Sequence, residues 1–309
     1  MTERYGNDGV LHFQAPISVW ENIFATEFFE FSHSDFKGEK VVRAMEYSLP
    51  VELDAHVEAV FKVAELPPVV NGKPIIITEH NLALKESIST QGTLINGYVT
   101  PQFLSNLYNI QSNVGSANTR QSIFASLDQF GSNMDLTQFQ TLMGIAAKPI
   151  AGNIGVSGRI NHAQCQAGPE NCAETNLDLQ YISGVAQNIP TYHIYYEYCD
   201  YWSMLANLTS TNTKNPPKVI SISYGGYGYA QYHSTSFNNY AILAGTMGIT
   251  IMVASGDDGA ANFGVRDDAT LCHYEPSFPA FSPYVTAIGA TQVSWKVILS
   301  CFICDLCCL

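Results

Sequence analysis

The sequence predicts an α/β protein whose main domain is a doubly wound parallel sheet, with a smaller α+β unit ahead of it. Three observations carry this. Residues 219–223 and 249–254 are short, continuously apolar runs, the pattern of strands buried on both faces. Segments with helical spacing of apolar residues fall between such runs, so crossover helices can cover both sides of a sheet. Glycine-rich loops, SYGGYGYA and SGDDGA, follow these two runs, where open α/β sheets bind their ligands.

Composition narrows the function classes. The chain has 309 residues, 46% hydrophobic and 13% charged, enough for a sizeable core. Lys plus Arg number 14 against 27 Asp plus Glu, a net charge of −13, which argues against nucleic acid or an anionic membrane as partner. A lightly charged acidic surface also suits work at low pH. Residues 1–10 are polar, so no secretory signal is expected in the chain as given. The longest apolar run, 297–309, contains Asp305 and falls short of the ~20 residues a membrane helix needs.

In chain order, residues 17–25 suit a helix, 26–32 a strand, 35–39 a turn and 41–49 a second strand. Ser48 and Pro50 then mark a helix start, with Leu53, Val57, Val60 and Phe61 on one face, stopped by Leu66-Pro67-Pro68. These make an α+β unit over residues 1–75, followed by a glycine-bearing connection. Thr100-Pro101 opens a helix with Phe103, Leu104, Leu107 and Tyr108 as its apolar side. Residues 122–127 read as a strand and 132–143 as a helix with Leu136, Phe139 and Met143 together. The next helix places Leu177, Tyr181 and Val185 on one side; a strand over 191–198 and a helix over 201–208 follow. Phe237, Tyr240, Ala241, Ala244 and Met247 mark a helix ending at Gly248.

The chemistry-bearing stretch is CAETNLDLQY. Glu174 and Asp178 are four positions apart on a helix, which stacks both carboxyls on one face about 6 Å apart along the axis. Like charges so spaced weaken a helix by a few tenths of a kcal/mol, a cost met by chance on a wet surface or kept because two acids are needed in one place. Asp257, in SGDDGA, sits at the end of an apolar strand, where desolvation can raise a carboxyl's pKa. A neutral carboxyl there can donate a hydrogen bond to a developing oxyanion; otherwise Asp257 and Asp258 simply make a turn.

Other motifs exclude more than they suggest. Gly226-Tyr227-Gly228 lacks the third small residue of a dinucleotide fingerprint, and no acidic residue follows at the required distance. No Walker loop, HExxH or G-x-S-x-G elbow is present. The eight histidines are scattered without metal-ligand spacing and are expected to be surface or half-buried. Cys165 and Cys172 bracket a turn-forming insert and either pair in an oxidising compartment or stay as two thiols. Asn207-Leu208-Thr209 is a glycosylation sequon.

Taken together, KVISISYGG, ITIMVASGDDGA, PSFPAFSPYVTAIGAT, GYVTPQFLSNLYNI and ETNLD resemble the sedolisin family of serine-carboxyl peptidases, in its tripeptidyl-peptidase I branch. The resemblance spans residues 17–295, with EFFEFSHSDFKGEKVVRAMEYSLPVELDAHV similar to the second half of that family's activation segment. It implies a subtilisin-like catalytic domain made as an inactive precursor, activated in acid in a lysosomal, vacuolar or secreted setting. Its partners would be peptide or protein substrates and its own pro-domain. The organisation it implies is a partial pro-domain over 1–75, a linker with a processing site over 76–96, the N-terminal part of the catalytic domain over 97–295, and an atypical Cys-rich tail over 296–309.

Residue by residue, Glu174 matches the family's general base, Asp178 the acid that orients it, and Asp257 the oxyanion-hole aspartate. The chemistry is consistent: near pH 4 a histidine, pKa ~6.5, is protonated, while a glutamate, ~4.3, can still accept a proton. The departure lies downstream. The family's nucleophile stands in a Gly-Thr-Ser motif some tens of residues after GAT, and no Gly-Thr-Ser occurs in this sequence. The calcium expected of the full-length family has no counterpart motif either, and no cofactor is expected in this chain. From Trp295 the sequence, KVILSCFICDLCCL, no longer resembles the family, as a truncated or misjoined product would. The chain is therefore expected to be a precursor fragment without turnover; the alternative is a non-catalytic homologue that holds peptides or the pro-domain.

Overall fold

The computed structural model describes residues 3–5, 10–32, 40–66, 99–110, 115–116, 118–226, 230–266 and 268–290. The expected turn at 35–39, the connection and the tail lie outside them.

The N-terminal unit holds two antiparallel ribbons, β1 (Glu3–Tyr5) with β2 (Val10–His12) and, after α1 (Ile17–Phe24), β3 (Phe28–Ser32) with β4 (Lys40–Ala44). Its small core is Phe24, Ala44 and Val63, flanked by Trp20 and Tyr47. Two expectations fail here for one reason. The strand expected to reach residue 49 stops at Ala44, and the helix expected to run to Phe61 is a single turn, α2 (Val51–Asp54). Instead the chain returns to β4: Ala44 N–H donates to Val63 O at 2.7 Å, and Arg43 Nε to Glu65 O at 2.7 Å. Long-range pairing outweighs a helix propensity worth only tenths of a kcal/mol per residue.

This unit touches the main domain through Phe61, whose ring lies 5.5 Å from that of Trp202, and Lys62, 2.6 Å from Asp200. Asn239 also donates to Glu58 at 2.6 Å. Beside these contacts opens a cavity of about 320 Å³, lined in part by Arg43, Glu65, Val156 and Glu197.

The main domain opens with α3 (Pro101–Leu107), capped by Thr100, whose side chain accepts from Phe103 N. Six strands follow: β5 (Gln121–Ala125), β6 (Gly152–Gly155), β7 (Thr191–Tyr195), β8 (Val219–Ile222), β9 (Thr250–Ala254) and β10 (Thr286–Ile288). Their order is β10-β9-β8-β5-β7-β6, and every neighbouring pair is parallel. From β5 the chain goes out to the edge strand β6, returns to β7 beside β5, then crosses to β8 on the other side and continues through β9 to β10. That reversal leaves a crevice at the C-terminal edge between β5 and its neighbours.

Helices cover both faces: α4 (Asn133–Leu142), α5 (His162–Ala167) and α6 (Ala173–Val185) belong to the first half, α7 (Tyr201–Leu208) and α8 (Ala230–Thr246) to the second. Strand alternation sorts the core. Phe124, Ile194, Ile220, Ile222, Ile251 and Val253 pack with Leu205 and Leu208 of α7 and with Phe237 and Ala241 of α8. Ile123, Ala125 and Tyr195 point the other way, onto Leu179 of α6. Each large apolar side chain so buried is worth about 1.5–3 kcal/mol.

Elsewhere the structure departs from the sequence reading. Strand β6, GNIG, and the short α5 were not expected, because a glycine-bearing edge strand shows no apolar run. Strand β7 ends at Tyr195 rather than 198, where Tyr198 takes φ 52. On α6 the expected stripe is displaced: Leu177 is 51% exposed, while Thr175, Leu179 and Gly184 are buried. Among the described residues no helix is long and apolar enough to cross a membrane.

Candidate active site

Helix α6 points its N-terminal half at the C-terminal edge of the sheet, and this brings the two acids to the crevice. No side chain of its own caps it. Cys172, at the N-cap, is disulfide-bonded to Cys165, which settles that pair as a cystine. The cap comes from the loop after β5: Gln129 Oε1 accepts from Glu174 N–H at 3.2 Å while its Nε2 donates to Glu170 O at 2.8 Å. Phe130 N–H donates to Asn171 O at 2.8 Å, fastening the same loop.

That loop is held by Arg159. Its guanidinium lies 2.7 Å from Asp128 and 2.9 Å from Glu197, and stacks 4.9 Å from the ring of Phe130 and 4.3 Å from that of Tyr195. Tyr195 closes the ring, donating its hydroxyl to Glu197 at 2.5 Å and accepting from Asp128 N–H at 3.0 Å. Gly131 admits no larger residue here: a Cβ would lie 2.8 Å from Ile160 and 2.9 Å from Leu179.

Glu174 and Asp178 come together as the spacing predicts. Burial pushes the Glu174 carboxyl up to about 6, with the negative charge of Asp257 adding to it and the Ser223 hydroxyl opposing. Asp178 is raised well above the usual carboxyl range, by burial first and the charge of Glu174 second, again opposed by Ser223. Ser223, the residue just beyond β8, donates its hydroxyl to Asp178 Oδ1 at 2.9 Å. Asp178 Oδ2 is buried without a hydrogen-bond partner. Tyr224 lies buried beside the pair, its hydroxyl 3.5 Å from Ser126 O, and the two acids hold its proton on more tightly after burial itself.

Asp257 is close enough for its charge to be felt by Glu174, but it is exposed, not enclosed by the strand end as expected. The physical reason is local: the chain leaves β9 through Ser255 and Gly256, the latter at φ 99, onto an exposed turn. Nothing in the spacing of the sequence signals Ser223, Gln129 or Arg159: the first two meet α6 only through tertiary contact, and Arg159 acts through the loop after β5. The SYGG loop is held by backbone bonds: Gly226 N–H to Phe278 O at 3.0 Å, and Phe278 N–H to Gly226 O at 2.8 Å.

Most of the histidines are expected at or near the surface, and His193 is an exception. It is fully buried on β7 with neither ring nitrogen hydrogen-bonded, and burial, with Arg159 nearby, lowers its pKa to about 4. Asn207 of the sequon donates its amide to Tyr196 at 2.9 Å and its oxygen accepts from Thr213, so the side chain is engaged within the fold. Among the described residues no group of three or more His, Cys, Asp or Glu is gathered that could hold a metal ion.

A parallel α/β sheet with two coupled acids over its C-terminal edge defines a chain suited to acid-range proton transfer. Residues 1–66 match the family model described as "Pro-kumamolisin, activation domain". The chain is 27% identical over 309 residues to "Probable tripeptidyl-peptidase SED3" of Arthroderma benhamiae, covering 91% of this chain and 50% of that protein. It is 28% identical over 260 residues to "Tripeptidyl-peptidase 1" of Homo sapiens, covering 80% of this chain and 42% of that one. Among solved structures, a Pseudomonas sedolisin described as a serine-carboxyl proteinase aligns at TM-score 0.47 and 23% identity, over 65% of this chain and 56% of that one. The chain is thus similar to tripeptidyl-peptidases over most of its length, and its residues 1–66 to a pro-kumamolisin activation domain. It spans about half the length of the curated relatives it matches.

Proposed function

We propose that this chain carries the carboxylate half of an acid-acting serine-carboxyl peptidase, made with its own activation segment. In this reading Glu174 is the general base, Asp178 orients it and shares its proton, and Asp257 supplies the oxyanion hydrogen bond when protonated. The observation that carries it is the convergence of Glu174 and Asp178 with Ser223 at the sheet's C-terminal edge, within electrostatic reach of Asp257. Acids raised by burial are half-protonated in the weakly acidic range, where a histidine base is already charged. The relatives' names support release of amino-terminal tripeptides as the activity of the whole protein.

The Cys165–Cys172 bond supports passage through an oxidising route to an acidic lysosomal, vacuolar or secreted destination. The contacts of Phe61 and Lys62 support the activation segment as a bound partner.

A second reading, a homologue that holds peptides or its own activation segment without cleaving them, is favoured by one observation: Asp257 is exposed rather than enclosed where an oxyanion donor would be desolvated. One assay separates the two. The chain as it stands, and a version joined to the Gly-Thr-Ser-bearing remainder of a tripeptidyl-peptidase, are incubated at about pH 4 with a tripeptide substrate bearing a free amino terminus. Turnover is expected only from the joined version, falling by about 10²–10⁴-fold in its Glu174→Gln form. A joined, folded protein indifferent to Glu174→Gln would sink the peptidase reading.

A further inference from the structure

We propose that Ser223 is a positioning residue for the acid pair: its hydroxyl ties Asp178 Oδ1 to the end of β8 and leaves Oδ2 as the oxygen free to share a proton with Glu174. Nothing in the spacing of the sequence links residues 178 and 223; the fold alone joins them, and the bond measures 2.9 Å.

The hydroxyl is held from a rigid base. On one side Ile222 is in the parallel ladder between β5 and β9, paired with Phe124 and Val253. On the other, Gly226 exchanges two backbone bonds with Phe278, and Gly225 fits so closely that a Cβ would lie 2.6 Å from Ser277 Oγ and 2.9 Å from Phe278 O. Buried Tyr224 fills the position between. Ser223 therefore cannot drift, and a carboxyl bonded to it cannot rotate freely about its terminal torsion.

The consequence follows from hydrogen-bond capacity. A serine hydroxyl has one proton to give, and it goes to Oδ1. Oδ2 is buried and unpartnered, a state that costs a charged carboxylate more than a neutral carboxyl. The groups facing Asp178 are Glu174 on its own helix and Tyr224 from the end of β8, with Asp257 acting on Glu174 from the loop after β9. Donation by Ser223 favours the ionised form of the pair against burial and mutual repulsion. It thereby lowers the pH at which the base becomes available. The functional meaning rests on the peptidase reading; the measurement does not.

The test is a pH titration of the full chain, labelled with ¹³C in the carboxyls of Asp and Glu and followed by NMR, with Glu174→Gln and Asp178→Asn assigning the two signals. In Ser223→Ala the pair should lose its last proton about one pH unit higher, the effect of removing one hydrogen bond to a charged group. Ser223→Thr, which keeps the hydroxyl, should return the curve to the wild-type position. If Ser223→Ala fails to fold by near-ultraviolet circular dichroism, Ser223→Cys, a weak donor, should shift the pair in the same direction by less. An alanine or cysteine variant that titrates like wild type, or a threonine variant shifted as far as alanine, overturns the proposal. Absence of turnover in the peptide assay would leave these curves untouched, so the two readings fail separately.

Discussion

Arg159 donates to Asp128 at 2.7 Å, tying the loop after β6 to the loop after β5, and through that loop it reaches the helix that carries the acids. Gln129, the next residue, caps Glu174. The guanidinium side chain is 19% exposed and bonded to two carboxylates between two rings. Its replacement removes a bidentate network rather than a loose surface pair. Arg159→Met should cost about 2 kcal/mol, read as a lower urea midpoint, with Arg159→Lys recovering only part, since a point charge cannot bridge both acids or stack on both rings. An unchanged midpoint would show the network to be ornamental.

Stability should depend on pH in two opposed ways. Burial raises Glu174 to about 6 and raises Asp178, so the folded protein keeps protons that the unfolded chain has released. The stability this pair contributes is full below the ordinary carboxyl range and is lost as pH rises through about 6. Glu174→Gln or Asp178→Asn should flatten the fall in melting temperature between pH 4.5 and 6.5 (~2 pH units); a slope as steep as wild type contradicts the assignment.

His193 works in the other direction. Its pKa, lowered to about 4, makes the neutral ring part of the fold. Its contribution is present above the ordinary histidine value of ~6.5 and is lost as pH falls through about 4, some 3 kcal/mol across that range. His193→Leu should weaken the acid-side loss of stability, measured as urea midpoints at intervals from pH 7 to ~3.5.

The Cys165–Cys172 bond closes a sequence separation of 7 immediately ahead of α6. Loop-closure entropy for so short a ring is about 2 kcal/mol. Replacing both residues by serine should lower the melting temperature and speed hydrogen exchange at the first turn of α6 before it affects β5 or β8.

Gly131→Ala tests the seat of that helix. The added methyl group meets Ile160, Leu179 and Thr175 within 3.1 Å. Overpacking there should cost about 1–3 kcal/mol in unfolding experiments; a neutral effect would mean that α6 can shift without penalty.

Much of the fold was legible because it depends on local pattern. Mainly apolar runs gave away β8 and β9, Thr100-Pro101 announced α3, the spacing of Leu136 and Phe139 marked α4, and that of Glu174 and Asp178 placed two acids on one helix face. The activation unit was less legible. Its helix signal near Ser48 was outweighed by Val63 and Glu65 pairing back onto β4, a contact that no window along the chain contains.

Residue type and spacing were enough to single out the groups that can do chemistry: two acids four apart on a helix and an aspartate after a buried strand. Tertiary structure alone decided their electrostatic state. It buried Glu174 and Asp178 while leaving Asp257 exposed, brought Ser223 to Asp178 from 45 residues away, and sealed His193 without a partner. Residue type sets a group's intrinsic proton affinity, but its shift comes from desolvation and neighbouring charge. Those depend on which surfaces pack together, and packing is a property of the folded chain.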